Sequence, residues 1–342
     1  MCLSRFLLEL LTMNDNYHVF SDGRIERQDD TVRVVTDDGE KKYLPVENAE
    51  AIFLHGQIEY NTRFVSFLNQ EGVAVHVFGW HDHYAGSIMP KRGQTSGQTI
   101  VDQVRAYDDP SHRLELAKAF VDGSIHNMRS NVTYYDGRGY DFEHVLEELE
   151  DARASLNGMG TIDETMGVEA RARKAYYSTF DEILPEGFVF GGRQYNPPNN
   201  EVNSLISFGN SLVYANVVSA IRATALDPTV SYLHEPGERR YSLALDIADL
   251  FKPLLADRVI FRLVNRGQLT TDDFEADMNS CLLNEGGRKT YSKAYEETLD
   301  ETIDHPDLGK KVSYQYLLRV EAYKLKKHLL TGEEYVPFRR WW

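Results

Sequence analysis

The sequence predicts an α+β protein in which a β-rich N-terminal domain, residues 13–95, precedes a larger all-α domain, residues 96–342. Short β-type runs alternate with turn signals in the first part, whereas apolar residues recur at helical spacing in the second. The length of 342 residues is a further observation, because it exceeds what one ordinary core accommodates. Two cores are therefore expected.

The N-terminal domain is predicted to be a sheet with one helix packed against it. Residues 16–60 contain strand-like runs and two Asp-Gly turn signals, Asp22-Gly23 and Asp38-Gly39. The segment NTRFVSFLNQEG has apolar residues at helical spacing, with Asn61 or Thr62 as its cap, and leads into the buried-strand run VAVHVFGW. We expect this domain to serve as the dimerisation element.

The polar stretch MPKRGQTSGQT marks the predicted domain boundary near residue 95. Beyond it the period-2 pattern disappears, and the runs from about 98 to 330 are helical, ending in KVSYQYLLRVEAYKLKKHLLTG. The C-terminal domain is therefore predicted to consist of helices.

The ends and the bulk composition predict a cytoplasmic protein. No stretch approaches the roughly 20 apolar residues of a membrane-spanning helix, and the two cysteines, Cys2 and Cys281, support neither a disulfide framework nor a zinc site. Residues 1–12 lack a signal-peptide cleavage site, so we interpret them as an over-long gene start or an appended helix, with Met13 as the candidate initiator.

The net charge argues against a polyanionic partner. Acidic residues number 53 against 37 basic ones, a formal charge of -16, and like charges repel at long range. A halophilic source would reconcile this charge with DNA binding, because the Debye length falls to about 3 Å at molar salt.

The segment HEPGERRYSLALDIADLF is the most informative local feature. Asp246 and Asp249 lie three residues apart on one face of a predicted helix, away from an apolar stripe that includes Ile247 and Leu250. Spacing alone leaves open that the two aspartates are an ordinary acidic first turn.

Two further side chains are candidates for the same site. His234 lies where an apolar segment meets a turn, and the alternative is a turn histidine bonded to backbone. Glu169 is spaced to pair with Arg173, and the alternative is a surface ion pair. If these groups converge with Asp249, one imidazole and two carboxylates suit Mg²⁺ or Mn²⁺.

Five ordered segments carry a family resemblance over nearly the whole chain. They are NYHVFSDGRIERQDDTVRV, NTRFVSFLNQEGVAVHVFGWHDHYAG, NPPNNEVNSLISFGNSLVYANV, LHEPGERRYSLALDIADLFKPLLADR and EYVPFRRWW. With these segments the chain resembles the CRISPR-associated integrases, the nucleases of CRISPR adaptation. The FRRWW ending is similar to that of relatives from type I systems, particularly the I-B kind of salt-loving archaea.

The resemblance implies a metal-dependent DNA endonuclease and integrase that inserts short DNA fragments into a CRISPR array by transesterification. It places the metal ligands on Glu169, His234 and Asp249, assisted by Asp246. It also implies a homodimer that forms a heterohexamer with a small ferredoxin-like partner. The basic residues nearest the ligands in sequence are candidate DNA phosphate contacts, with solvated helix charges as the alternative: Arg239, Arg240, Lys252, Arg258 and Arg262.

Two other hypotheses remain open at this point. The chain could be a non-catalytic DNA-binding scaffold of the same adaptation complex. His81 and His83, with His76, could form a separate metal site in the β-rich domain, although their glycine-rich flanks favour an exposed loop.

Overall fold

The computed structural model describes residues 15–47, 49–79, 83–91, 96–194, 197–238, 240–277, 280–306 and 309–341. The proposed extension at residues 1–12, His81 and Arg239 lie outside the described residues. The chain divides into two compact units, a β unit of residues 1–93 and 300–316 and a helical unit of residues 94–299 and 317–342.

The β unit contains two four-stranded sheets. The strands are β1 (Asp15–Val19), β2 (Gly23–Gln28), β3 (Thr31–Thr36), β4 (Lys41–Leu44), β5 (Ala49–Leu54), β6 (Ile58–Tyr60), β7 (Ala74–Phe78) and β8 (Tyr84–Ile88). One sheet has the order β1-β5-β7-β8, with β8 antiparallel to β7, and the other has the order β4-β3-β2-β6. Gly23 begins β2 with φ 143°, and a Cβ there would lie 2.2 Å from the Val35 carbonyl oxygen, so the predicted Asp-Gly turn requires glycine.

The helix between the strands is α1 (Thr62–Glu71), which begins and ends as its sequence predicts. The Asn61 side chain accepts a hydrogen bond from the Phe64 N–H, and Gly72 closes the helix in the left-handed conformation. The core combines Ile25 of one sheet with Ile52 of the other and Phe64 of α1.

The opposite face of the β1-β5-β7-β8 sheet carries an aromatic layer, defined here as His18, Phe53, His55, His76 and Phe78. Side chains alternate between the faces of a strand, so these residues point away from the core of the unit. The ring centroids of His18 and Phe53 are 4.6 Å apart, as are those of His55 and Phe78. His18 Nδ1 lies 3.0 Å from His55 Nε2, which links two of the rings by a hydrogen bond.

His76 lies in this layer with no solvent exposure. Its Nδ1 is 2.6 Å from the Ser87 hydroxyl oxygen. Burial, with a smaller contribution from the charge of His18, lowers the pKa of His76 to about 3. The hypothesis of a second metal site at His76, His81 and His83 stays untested, because His81 lies outside the described residues.

The helical unit is built mainly from ten helices. They are α2 (Gly97–Asp108), α3 (Pro110–Asp136), α4 (Glu143–Ser155), α5 (Ile162–Ser178), α6 (Phe180–Ile183), α7 (Glu201–Arg222), α8 (Ser242–Lys252), α9 (Arg258–Asn265), α10 (Glu285–Asp300) and α11 (Tyr314–Thr331). The long helix α3 packs against α4, α5 and α8, and α8 also packs against α7. A turn of π-helix, Pro253–Asp257, connects α8 to α9.

The prediction of a mostly helical second part is confirmed, but an all-α domain is wrong at two hairpins. Strands β9 (Phe274–Asp277) and β10 (Ser280–Leu283) pair antiparallel, as do β11 (Thr302–His305) and β12 (Lys310–Ser313). Each strand has only four residues, too few for a period-2 pattern to stand out between long helical runs. The second hairpin belongs to the β unit, so the predicted domain of residues 96–342 is interrupted at 300–316.

Helix α7 meets the length and composition of a membrane-spanning segment, which the sequence analysis did not anticipate. The most apolar window of this helix is 72% buried inside the protein. Its hydropathy therefore reflects its place in the core of the helical unit.

Candidate active site

Helix α8 brings two of the predicted side chains into the interior of the helical unit. Asp246 is fully buried and Asp249 is 5% exposed. Residues on every side of α8 are buried, so the aspartates do not face solvent opposite an apolar stripe, as an acidic first turn would. A buried carboxylate must be hydrogen-bonded or paired, and the two aspartates achieve this in different ways.

Asp246 organises the loop that carries His234. Its carboxylate accepts hydrogen bonds from the backbone N–H groups of Tyr232 at 2.7 Å, Leu233 at 3.1 Å and His234 at 3.0 Å. It also lies 2.8 Å from Nδ1 of the His234 ring. Because an ionised carboxylate only accepts, the Asp246 contact assigns the proton of the neutral ring to Nδ1.

The other ring nitrogen of His234 faces the second aspartate. His234 Nε2 lies 4.0 Å from Asp249 Oδ2. Burial alone would lower the pKa of His234, but the hydrogen bond to Asp246 and the charge of Asp249 outweigh it and raise the pKa above its usual value.

Glu169 on α5 reaches the same place through Arg173. The predicted pair is present, with Arg173 Nε 2.6 Å from Glu169 Oε1. It is not a surface pair, because the Arg173 side chain is only 17% exposed. Arg173 Nη2 lies 2.5 Å from Glu169 Oε1 and 3.5 Å from Asp249 Oδ1, so one guanidinium connects the two carboxylates.

Lys252 supplies a second positive charge to Asp249. Its Nζ lies 2.6 Å from Asp249 Oδ1. Burial would raise the pKa of Asp249, but Lys252, Arg173 and His234 together lower it to about 2. Asp249 is therefore ionised throughout the physiological range. We call Glu169, Arg173, His234, Asp249 and Lys252 the catalytic centre.

Arg113 on α3 holds the His234 loop from outside. Its Nε donates to the Tyr232 carbonyl at 3.0 Å, and its Nη2 lies 2.5 Å from Glu235 Oε2. The guanidinium also stacks over the Tyr107 ring, 4.3 Å from the centroid. The residues on both sides of His234 are thus fixed to the α2–α3 region.

Next to the catalytic centre lies a buried acid that the sequence analysis did not single out. Asp257 accepts a hydrogen bond from the Tyr176 hydroxyl at 3.0 Å, and that hydroxyl accepts one from Asn131 at 3.0 Å. Burial raises the pKa of Asp257 to about 7, against the Tyr176 hydrogen bond and the opposing charges of Arg173 and Lys252.

The candidate phosphate contacts have differing surroundings. Arg240 Nη2 donates to the Glu235 carbonyl at 2.6 Å, and Lys252 is bound to Asp249. Arg262 Nη2 donates to the Ala294 carbonyl at 2.6 Å, which fastens α9 to α10. Arg258 is half-buried at the start of α9. A role of these residues in DNA binding stays a prediction.

Sequence reasoning missed the partners of the predicted ligands. Lys252 follows Asp249 by three residues, so helical spacing could have suggested this pair. Arg113 lies 121 positions before His234 in sequence, and no local pattern connects them. Three buried polar residues of α3, Ser124, Asn127 and Asn131, recur at helical spacing within an apolar run, and this signal was available.

Comparison with known proteins gives a consistent result. The family profile described as CRISPR associated protein Cas1 matches residues 17–297. The CRISPR-associated endonuclease Cas1 of Haloferax volcanii is 54% identical over 327 residues, which are 96% of this chain and 99% of that protein.

Solved structures share the fold. A CAS1 protein from Thermotoga maritima superposes with a TM-score of 0.83 at 35% identity, covering 94% of this chain and 99% of that one. A casposase bound to its integration product superposes with a TM-score of 0.86 at 19% identity, covering 95% of this chain and 93% of that one.

The fold, with its β unit and its helical unit, is that of the CRISPR-associated proteins in these comparisons. The profile match covers most of the chain, and a relative with more than half of its residues identical aligns along nearly all of it. The chain belongs to the Cas1 family. The family resemblance found in the sequence is thereby confirmed, while the I-B subtype stays a prediction.

Proposed function

We propose that the protein is a metal-dependent DNA endonuclease and integrase that inserts short foreign DNA fragments into a CRISPR array. The observation that supports this most is the convergence of Glu169, His234 and Asp249 on one buried cluster of charges. The relative from Haloferax volcanii is named an endonuclease, which agrees with this activity.

The donor set of the catalytic centre fits Mg²⁺ or Mn²⁺. Carboxylate oxygens are the preferred ligands of both ions, and an imidazole is compatible with Mn²⁺. Asp246 holds His234 Nδ1, which leaves Nε2 as the nitrogen that can bind an ion, an arrangement common among metal-ligating histidines. Asp249 is ionised, as a ligand must be.

The centre is not a preassembled metal cluster. Within the part of the chain that the structure describes, no group of three or more His, Cys, Asp and Glu side chains is placed to hold a metal ion. The contacts of the centre give a reason, because Arg173 lies between the carboxylates of Glu169 and Asp249, and Lys252 binds Asp249. Ion binding would therefore require these two basic side chains to shift.

In the proposed reaction the 3′-hydroxyl of a DNA fragment attacks a phosphodiester of the array. A new phosphorus–oxygen bond forms, the bond to the target strand's own oxygen breaks, and the proton of the attacking hydroxyl is released while the leaving oxygen takes one up. A bound cation would stabilise the charge on the phosphoryl oxygens and lower the pKa of the attacking hydroxyl.

The chain's own residues orient and charge this centre. Asp246 fixes the ring of His234. Arg173 and Lys252 carry positive charge close to where a phosphate would bind, and such preorganised charges stabilise a phosphoryl-transfer transition state. The dry surroundings of α8 strengthen these interactions, because Coulomb energies grow as the local dielectric constant falls.

We further propose that the protein acts in the cytoplasm on double-stranded fragments and CRISPR repeat DNA, as a homodimer that assembles with a small ferredoxin-like partner into a heterohexamer. Family resemblance supports this assembly. The basic residues Arg239, Arg240, Lys252, Arg258 and Arg262 are the proposed phosphate contacts.

The test is a cleavage and joining assay on branched and free-ended DNA, with Mg²⁺ or Mn²⁺ in high-KCl buffer. His234→Ala should lower the rate by about 100- to 10,000-fold, the range for removal of a group that acts directly in catalysis. His328→Ala is the matched control, because His328 is a buried histidine of the same unit that contacts His112. It should retain the wild-type rate.

Two outcomes would contradict the proposal. Equal activity of wild type and His234→Ala would remove the proposed centre from the reaction. Wild-type protein that binds DNA but neither cleaves nor joins it, even with its partner present, would favour the scaffold function. Calorimetric titration with Mn²⁺ gives a separate readout, in which Asp249→Asn should weaken binding.

A further inference from the structure

The helix that carries Asp249 ends in a break four residues later. In a regular α-helix the N–H of residue 253 would donate to the carbonyl of Asp249, but Pro253 has no N–H. The chain then widens into a π-turn, in which the Arg258 N–H donates to the Pro253 carbonyl. The Asp249 carbonyl therefore needs a hydrogen-bond donor from another element.

Helix α3 supplies that donor and two more. The Ser124 hydroxyl donates to the Asp249 carbonyl at 3.0 Å. The side-chain amide of Asn127 donates to the Leu250 carbonyl at 2.8 Å, and that of Asn131 donates to the Pro253 carbonyl at 2.6 Å. We call Ser124, Asn127 and Asn131 the polar ladder. Its three side chains are at most 2% exposed, so water does not compete for these bonds.

The ladder also binds the C-terminal segment of the chain. Asn127 donates to the Phe338 carbonyl at 3.1 Å and accepts from the Arg340 N–H at 2.8 Å. The Phe338 ring stacks on Phe251 of α8, with centroids 4.9 Å apart and an interplanar angle of 7°. Asn127 thus connects the break in α8 to the segment that packs over it.

We propose that the polar ladder, together with Phe338, positions Asp249 and Lys252 for the reaction. This role rests on the proposed function, because it concerns the geometry of the same centre. The ladder residues are positioning residues, since they contact the backbone of α8 rather than the reacting groups. Their bonds fall on residues 249, 250 and 253, which enclose the segment from Asp249 to Lys252.

The distribution of these bonds separates positioning from general stabilisation. A buried amide that only stabilises the fold is present on α7, where Asn216 donates to the Leu212 carbonyl at 3.0 Å and to the Tyr295 hydroxyl at 3.2 Å. None of those atoms belongs to the break after Asp249. Asn216 and Asn127 therefore form a matched pair, in which loss of a buried amide is common and contact with α8 is not.

The experiment compares Ser124→Ala, Asn127→Ala and Asn216→Ala in the DNA cleavage assay, with thermal unfolding to measure the folded fraction. Ser124→Ala and Asn127→Ala should lower kcat by about 10- to 100-fold, as loss of a group that orients a ligand does, and leave KM for DNA unchanged. Asn216→Ala should keep the wild-type kcat per folded molecule.

Conservative variants sharpen the test. Ser124→Thr keeps the hydroxyl and should restore the activity lost in Ser124→Ala. Asn127→Asp keeps an acceptor for the Arg340 N–H but loses the donor to the Leu250 carbonyl, so it should behave like Asn127→Ala. Phe338→Ala should lower kcat in the same direction.

The outcomes distinguish failure of this role from failure of the proposed function. If wild type is active and the ladder variants match it, or if Asn216→Ala loses as much kcat as Asn127→Ala, the positioning role is overturned and the function stands. If His234→Ala is as active as wild type, or wild type neither cleaves DNA nor binds Mn²⁺ in calorimetry, the proposed function fails and the positioning role fails with it.

Discussion

The catalytic centre and the aromatic layer each enclose a histidine, with opposite consequences for its charge. His234 donates to the carboxylate of Asp246 and faces Asp249, and its pKa is raised. His76 contacts only the neutral hydroxyl of Ser87 among the hydrogen bonds described above, and burial lowers its pKa to about 3. A buried histidine thus takes its character from its partners, because the same desolvation acts on both rings.

Removing the partner of each histidine should give the largest contrast. Asp246→Asn removes the charge that orients His234 and places an NH₂ group among donors, so we expect cleavage activity to fall by about 100-fold. Ser87→Ala removes the partner of His76 and should leave kcat unchanged. Steady-state DNA cleavage of both variants, normalised to folded protein, measures the contrast.

Equal losses in the two variants would mean that the partner of a buried histidine matters for folding alone. Unchanged activity in Asp246→Asn would show that the loop of residues 232–234 holds its conformation without the carboxylate.

The basic residues provide a second contrast, of smaller size. Arg173→Met takes away the guanidinium between Glu169 and Asp249, so the pKa of Asp249 should rise and the acid limb of the pH–rate profile should move to higher pH. We expect kcat near neutral pH to fall by about 10-fold. The control is Arg33→Met in the β unit, where Arg33 Nε donates to Glu26 at 3.1 Å across two strands.

Arg33→Met should change neither kcat nor the pH–rate profile. An acid limb that stays in place in Arg173→Met would show that Lys252 and His234 alone keep Asp249 ionised.

The smallest expected effects concern stability against pH, and the two units should respond with opposite signs. Unfolded protein protonates His76 below its ordinary pKa of 6.5, whereas folded protein leaves it neutral down to about 3, so this group lowers stability as pH falls through that window. Asp257 keeps its proton up to about 7 when folded but loses it near 3.8 when unfolded, so it lowers stability as pH rises between those values.

Denaturant unfolding of His76→Phe and Asp257→Asn between pH 4 and pH 8, at constant high salt, measures these slopes. His76→Phe should lose less stability on acidification than wild type. Asp257→Asn should lose less as the pH rises. A change of slope in the reverse direction for either variant would refute the charge state assigned to that group.

The parts of this structure that follow from local pattern were predictable from sequence. The Asn61 cap, the Asp22-Gly23 turn and the pairing of Glu169 with Arg173 depend on residues a few positions apart, where propensity and spacing act directly. The four-residue strands of the two hairpins were missed because their pattern is too short.

The assembly of the centre could not be predicted from local pattern. Glu169, His234 and Asp249 lie on separate segments, and only the packing of α5 and α8 and the loop before α8 brings them together. Family resemblance named these residues but not the geometry among them. The hydrogen bonds of Arg113 and the polar ladder reach partners more than 100 residues away, a relation that spacing does not encode.

The break after Asp249 also makes a statement about evolution. Pro253 removes a donor from the helix, and Ser124 replaces it from α3. Relatives that carry another residue in place of Pro253 would regain the intrahelical bond, and their α3 would be released from the need for a hydroxyl. The two positions should therefore covary across the family, and the covariation can be read from sequences alone.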